Sequence, residues 1–177
     1  MTDTPLPRFQ PLRVAALPTR KPTPFDLRPD AGWLAQIAQD MGAIAVRKLV
    51  FRGEIKADGR RDWQLSGQLG ATVVQPCVVS AAPVTTRIDI PVLRRFLAEM
   101  PPATAPESEI PEDDTLEPLG PEIDPAAVMI EALSLALPDY PRAEGASLDT
   151  GAQPGSDPSP RPNPFAVLKA LKPGSDG

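Results

Sequence analysis

Eight carboxylates, Glu107, Glu109, Glu112, Asp113, Asp114, Glu117, Glu122 and Asp124, crowd one stretch with no Lys or Arg between them. Such a run can imitate a phosphate chain and hold a basic partner by charge complementarity. It can equally stand as a self-repelling solvated segment with no partner. The spacing lacks the glycine and register of a calcium loop, which argues against a carboxylate metal site. Glu107, Glu109, Glu112, Asp113, Asp114 and Glu117 are therefore the candidates for contact with a basic partner.

The opposite charge is concentrated earlier, in Arg47, Lys48, Arg52, Lys56, Arg60 and Arg61. Spaced along an extended strand, these residues could follow an RNA backbone with salt-dependent affinity. The same charges are routine on solvated strand edges, where they oppose aggregation, and few aromatics accompany them for base stacking. Cys77 is the one cysteine, in the apolar run Val73-Val74-Gln75-Pro76-Cys77-Val78-Val79. No cation or helix start lies near it in sequence to activate the thiol, so it reads as a small buried hydrophobe.

The chain has no histidine, which rules out Ser/His/Asp triads and Cys/His zinc sites built within it. Chemistry by Asp, Glu, Lys or a bound cofactor stays open in principle. No residue pattern asks for it, so the expectation is a chain that is not an enzyme, with no catalytic residue, metal or cofactor.

The elements that hold these residues can be read from periodicity. The 177 residues suffice for one core, but 25 of them are proline, far above ordinary usage. Residues 1–30 read as a proline-rich arm with one edge strand at Leu12–Leu17. Asp30 caps a helix over 31–41 with Leu34, Ile37, Ala38 and Met41 on one face and Gly42 as its stop. Leu49, Phe51, Gly53 and Ile55 alternate with polar neighbours, Asp58-Gly59 turns, and Trp63, Leu65, Gly67 and Leu69 resume the alternation. Residues 44–75 are thus a hairpin. Val84, Thr86, Ile88, Ile90 and Val92 add a third strand, paired antiparallel because the connections are short.

A second helix follows over 125–137, with Asp124 as N-cap, Pro125 at its first position, and Val128, Met129, Ala132, Leu133, Ala136 and Leu137 on its apolar face. The expected fold class is α+β: a small antiparallel sheet packed by two main helices. The α+β domain spans 31–142, including an acidic loop at 101–122. A flexible linker over 143–162 leads to a short docking helix at 163–172 with Phe165, Leu168 and Leu171 on one side.

Charge is segregated along this plan. Residues 1–95 carry 14 Lys/Arg against 8 Asp/Glu, and residues 96–141 carry 11 Asp/Glu and no cation. The net charge of −5 and the continuous acidic run oppose association with bare RNA, which favours a basic protein as the contact. No stretch is long and apolar enough for a membrane helix, and the N-terminus lacks the pattern of a signal peptide. With one cysteine, the chain is expected in the cytoplasm.

Three stretches carry a resemblance to a known family. The first is Gly70-Ala71-Thr72-Val73-Val74-Gln75-Pro76-Cys77-Val78-Val79-Ser80 leading into Val84. The second joins Glu112-Asp113-Asp114 through Ile123-Asp124 to Glu131-Ala132-Leu133-Ser134-Leu135-Ala136-Leu137-Pro138 and Tyr140-Pro141-Arg142. The third is Asn163-Pro164-Phe165-Ala166-Val167-Leu168 with Leu171-Lys172. Together they resemble the YceD family of large ribosomal RNA subunit accumulation proteins. The resemblance implies a non-catalytic role in accumulation or processing of large-subunit ribosomal RNA, beside the large-subunit precursor, through a basic ribosomal protein or the RNA itself. Many members show a C-x-x-C pair at the first stretch and further cysteines near the second. Here Ser80 stands at the second position and no later cysteine follows, so a metal role does not carry over. The alternative is a protein-only adaptor that uses the acidic loop to bind a basic partner.

Overall fold

The computed structural model describes residues 10–99 and 115–147. All its elements fall in the first of two units into which the chain divides, Met1–Ala146. Their order is β1 (Leu12–Arg13), a 3-10 turn (Val14–Ala16), β2 (Thr23–Leu27), α1 (Ala31–Asp40), β3 (Ala45–Asp58), β4 (Asp62–Pro76), β5 (Pro83–Leu97), β6 (Leu116–Pro118), β7 (Glu122–Ile123) and α2 (Pro125–Leu135). The main sheet runs β2-β3-β4-β5-β6, and β1 pairs with β7 in a separate two-stranded ladder.

The alternation seen in sequence becomes a sheet with one face in the core. Phe51, Ile55, Trp63, Leu65, Leu69, Ala71, Val73, Ile88, Val92 and Phe96 are all buried. They are closed over by Ile37 and Ala38 of α1 and by Val128, Met129, Ala132 and Leu133 of α2. The facing pair Gly53 and Gly67 lets chains and rings approach closely. A Cβ at Gly67 would lie 2.7 Å from the Arg52 carbonyl oxygen and 2.8 Å from the Phe51 ring. Phe51 in turn packs on Phe25, with ring centroids 4.9 Å apart.

Both helices start at the expected caps. Asp30 accepts the Trp33 N–H at 2.8 Å and Asp124 the Ala126 N–H at 2.8 Å, and Pro125 needs no donor at its position. Gly42 ends α1 at φ +63°, and Gly59 at φ +77° helps turn the β3-β4 hairpin. The second helix stops at Leu135, short of Leu137, as the Ala136 and Leu137 N–H groups close back on Ala132 and Ser134.

The structure departs from the sequence reading in four places. The sheet is mixed, because β6 runs parallel to β5. The stretch read as an acidic loop, 101–122, contains the strand Leu116–Pro118 and ends in the strand Glu122–Ile123. The edge strand expected at Leu12–Leu17 is two residues long and then coils into the 3-10 turn. The edge of the main sheet is instead Thr23–Leu27, hidden in sequence by its prolines.

The prolines fit because of where they face. The Arg95 N–H donates to the Thr115 carbonyl and the Leu119 N–H to the Leu97 carbonyl, so odd residues of β5 direct their backbone away from β4. Pro91 is one of them. Carried across the register Leu93↔Ser66, Glu54↔Ser66 and Pro24↔Glu54, the same alternation points Pro24 away from β3. Neither strand therefore loses a ladder bond to its proline, and β2 and the stretch of β5 that β6 does not reach are blunted by it.

Candidate functional site

Among the described residues, helices cover one face of the sheet, and the other face carries charge. Arg52 and Lys56 share this face, as the sequence spacing implied. Arg47 joins them because a bulge between Arg47 and Val50, with Lys48 at φ +52°, shifts the register. Val46 and Leu49 are both buried for the same reason.

The six basic candidates form a line and not a cluster. Arg47 and Lys48 lie at the start of β3 and Arg60 and Arg61 beyond its end, about 40 Å apart along the strand. Arg52 pairs with Asp26 at 3.1 Å and Arg61 with Glu99 at 2.6 Å. Arg47, Lys48, Lys56 and Arg60 have no acidic partner among the described residues.

Two further cations stand on this open face and were not singled out in sequence. Arg87 holds Asp89 at 2.6 Å and reaches the Thr72 hydroxyl at 3.4 Å, and Arg95 holds Asp58 at 3.3 Å. Their odd-numbered positions in the alternating β5 run were the available signal. Hydrogen bonding from Arg28 holds the Asp26 carboxyl below its ordinary value, and Arg87 does the same to Asp89. Acids and bases are interleaved on this face, so it is a mosaic with isolated free cations.

Of the acidic candidates, Glu107, Glu109, Glu112, Asp113 and Asp114 lie outside the described residues. Glu117 is engaged within the fold. Arg94 falls on the core face of β5 with its side chain only 11% exposed, 3.1 Å from Glu117 and 3.0 Å from Glu131 of α2. This triad ties β5, β6 and α2 together.

The residue that sequence reasoning underrated is Cys77. A tight turn after β4 is closed by the Cys77 N–H to the Ala82 carbonyl and the Ala81 N–H to the Cys77 carbonyl. Sγ, buried at 4% exposure, accepts the amides of Val79 (3.4 Å), Ser80 (3.5 Å) and Ala143 (3.3 Å). The Ser80 hydroxyl first, and then these amides, bring the thiol from 9.0 down to about 6 against the opposing effect of burial. The Ser80 hydroxyl and the backbone donors together do here what no neighbouring cation does. The C-x-x-S spacing was the only trace of it in sequence.

The same turn fastens the segment after α2. The Val78 N–H donates to the Pro141 carbonyl at 2.9 Å, and Gln75 Nε2 reaches the Pro138 carbonyl at 3.4 Å. Residues 138–143 thereby become a strap across the end of β4. Among the described residues no three metal-ligating side chains converge, and no helix is long and apolar enough to cross a membrane.

An α+β fold with one helix-covered sheet face, joined to a Cys77 turn and its strap, defines a small scaffold whose charges, apart from the Arg94 triad, face outward. The family model for the Large ribosomal RNA subunit accumulation protein YceD matches residues 65–172, and the chain belongs to that family. The match begins within β4. It includes the Cys77 turn, the acidic segment, α2 and the strap, while the β3 cations precede it. No curated relative and no solved structure matches the chain.

Proposed function

We propose that this protein is a non-catalytic, cytoplasmic assembly factor that promotes accumulation or processing of large-subunit ribosomal RNA. Membership of the family is the observation that carries the reading. Net charge alone favours a basic protein as the contact, but the cations without acidic partners among the described residues favour the RNA backbone, met by Arg47, Lys48, Lys56 and Arg60. Support for this contact comes from their lack of acidic partners among the described residues and from their placement in one line, Arg47, Lys48 and Lys56 on β3 and Arg60 just beyond its end. Free cations bind phosphate by releasing condensed counterions, whereas Arg52 and Arg61 must first leave a carboxylate.

A second reading has Glu107, Glu109, Glu112, Asp113 and Asp114 hold a basic large-subunit protein. The absence of any cation in residues 96–141 favours it. Glu117 contributes less in this reading because Arg94 already engages it.

Sedimentation of lysate tests the function. The protein should migrate with large-subunit precursors, and migration with soluble proteins alone would favour the adaptor. Crosslinking in cells, followed by sequencing of attached RNA and peptides, separates the two contacts. Crosslinks to peptides with none to RNA would reject the RNA contact.

A further inference from the structure

Tyr140 is the most exposed large hydrophobic residue among those described, at 77%, yet the chain on either side of it is fastened to the fold. It stands between Pro138 and Pro141 in the strap, whose flanking carbonyls are bound by Gln75 and Val78 and whose Ala143 amide is bound by Cys77 Sγ. Pro141 is buried, so the strap is anchored from beneath while the ring stays in water. The Val78 bond to Pro141 sets a second apolar side chain, 51% exposed, beside the Tyr140-Pro141 backbone. Arg142, exposed and with no acidic partner among the described residues, follows two positions after the ring.

We infer that Tyr140, with Val78 and Arg142, is a stacking platform for an unpaired base of single-stranded RNA. The inference rests on the RNA contact proposed above and adds to it a second, chemically different site. A backbone flanked by two prolines and tied on both sides loses little entropy when a base stacks on the ring it carries. Every base presents a π-face, so the contact tolerates sequence but demands an unpaired base. Arg142 supplies one phosphate contact. The neighbouring carboxylates Asp139 and Glu144 offset its charge, so binding at the strap comes from stacking more than from charge. The contribution of the Tyr140 stack therefore depends little on salt, in contrast to that of the β3 cations. The strap also lies within the segment matched by the family model, which the β3 cations do not.

The test measures binding of the full chain to a mixed-sequence single-stranded RNA oligonucleotide, to its duplex, and to purified basic large-subunit proteins, at low and high salt. Tyr140→Ala should weaken single-strand binding by roughly 5- to 100-fold, the range of one lost stack, with a similar factor at both salts. Tyr140→Phe should bind as the unaltered protein does, and duplex binding should be little changed by either variant. The exposed position should leave the melting temperature unaltered, so a loss of binding is not a loss of fold. Normal single-strand binding by Tyr140→Ala overturns this inference alone. So does a defect confined to the protein partners, which would make the strap a protein contact. If the unaltered chain binds none of the RNAs, both this inference and the RNA contact it rests on fall.

Discussion

A thiol that ionises near 6 in the fold and near 9.0 when exposed makes stability depend on pH through one residue. Between those values the unfolded chain holds a proton that the folded chain has released, so folding is favoured as pH rises. The contribution is complete above about 9 and is lost as pH falls through about 6. The absence of histidine removes the side chain that most often dominates this window. Denaturant midpoints should therefore climb from pH 6 to 9 in the unaltered protein and flatten in Cys77→Ala. An equal climb in both would show that the amides of Val79, Ser80 and Ala143 do not stabilise a thiolate. Legibility was poorest at this scale, because three backbone donors converge on Sγ only after the turn and the strap have folded. Cys77 looked apolar in sequence because its neighbours are.

At the scale of elements, the strongest patterns in sequence are those that one segment settles by itself. The cap at Asp30, the cap and proline at Asp124 and Pro125, and the two-residue alternation of β3, β4 and β5 depend on near neighbours, and all stand where expected. The elements that escaped depend on distant partners. Thr23–Leu27 becomes a strand because β3 accepts it, and Leu116–Pro118 because the β5 edge does. Their prolines are tolerated only through the direction they face.

Two substitutions test the packing that results. Gly67→Ala forces a methyl against the Arg52 carbonyl and the Phe51 ring, and should cost about 1–3 kcal/mol by overpacking. A lowered denaturant midpoint with unchanged slope would show it. Leu133→Asp places a carboxylate where the side chain is fully enclosed among apolar neighbours. Desolvation of an unpaired charge costs at least several kcal/mol, against the roughly 5–15 kcal/mol that holds a domain together. The variant should lose cooperative melting, and a transition near the unaltered temperature would contradict the packing of α2.

On the scale of the whole molecule, charge is divided between a basic first half and an acidic run, and the fold then divides the cations again. Some face carboxylates across the open sheet, and others have no acidic partner among the described residues. This second division was not legible in sequence, since Arg52 and Lys56 look alike there, and only the arrival of β2 gives Arg52 its Asp26. It makes a prediction that composition alone would not. Replacing Arg47, Lys48, Lys56 and Arg60 by Gln removes four free cations, and replacing Arg52 and Arg61 by Gln removes two that are paired. For single-stranded RNA, each phosphate neutralised adds about 0.7 to the slope of log affinity against log salt. The fourfold variant should thus lower the slope by up to about 3 and weaken binding mainly at low salt. The twofold variant should change it much less, because its cations must give up Asp26 and Glu99 to reach a phosphate. Exposed pairs of this kind are individually weak, on the order of 1 kcal/mol or less, so the gap between variants narrows as salt dissolves the pairs. Affinity measured across a salt series on large-subunit RNA reads both slopes directly. Equal losses per cation in the two variants would mean that the ion pairs do not decide which residues meet RNA. An unchanged slope in the fourfold variant would move the RNA contact off β3 altogether, and loss of neither slope nor affinity would reject the β3 cations as its site.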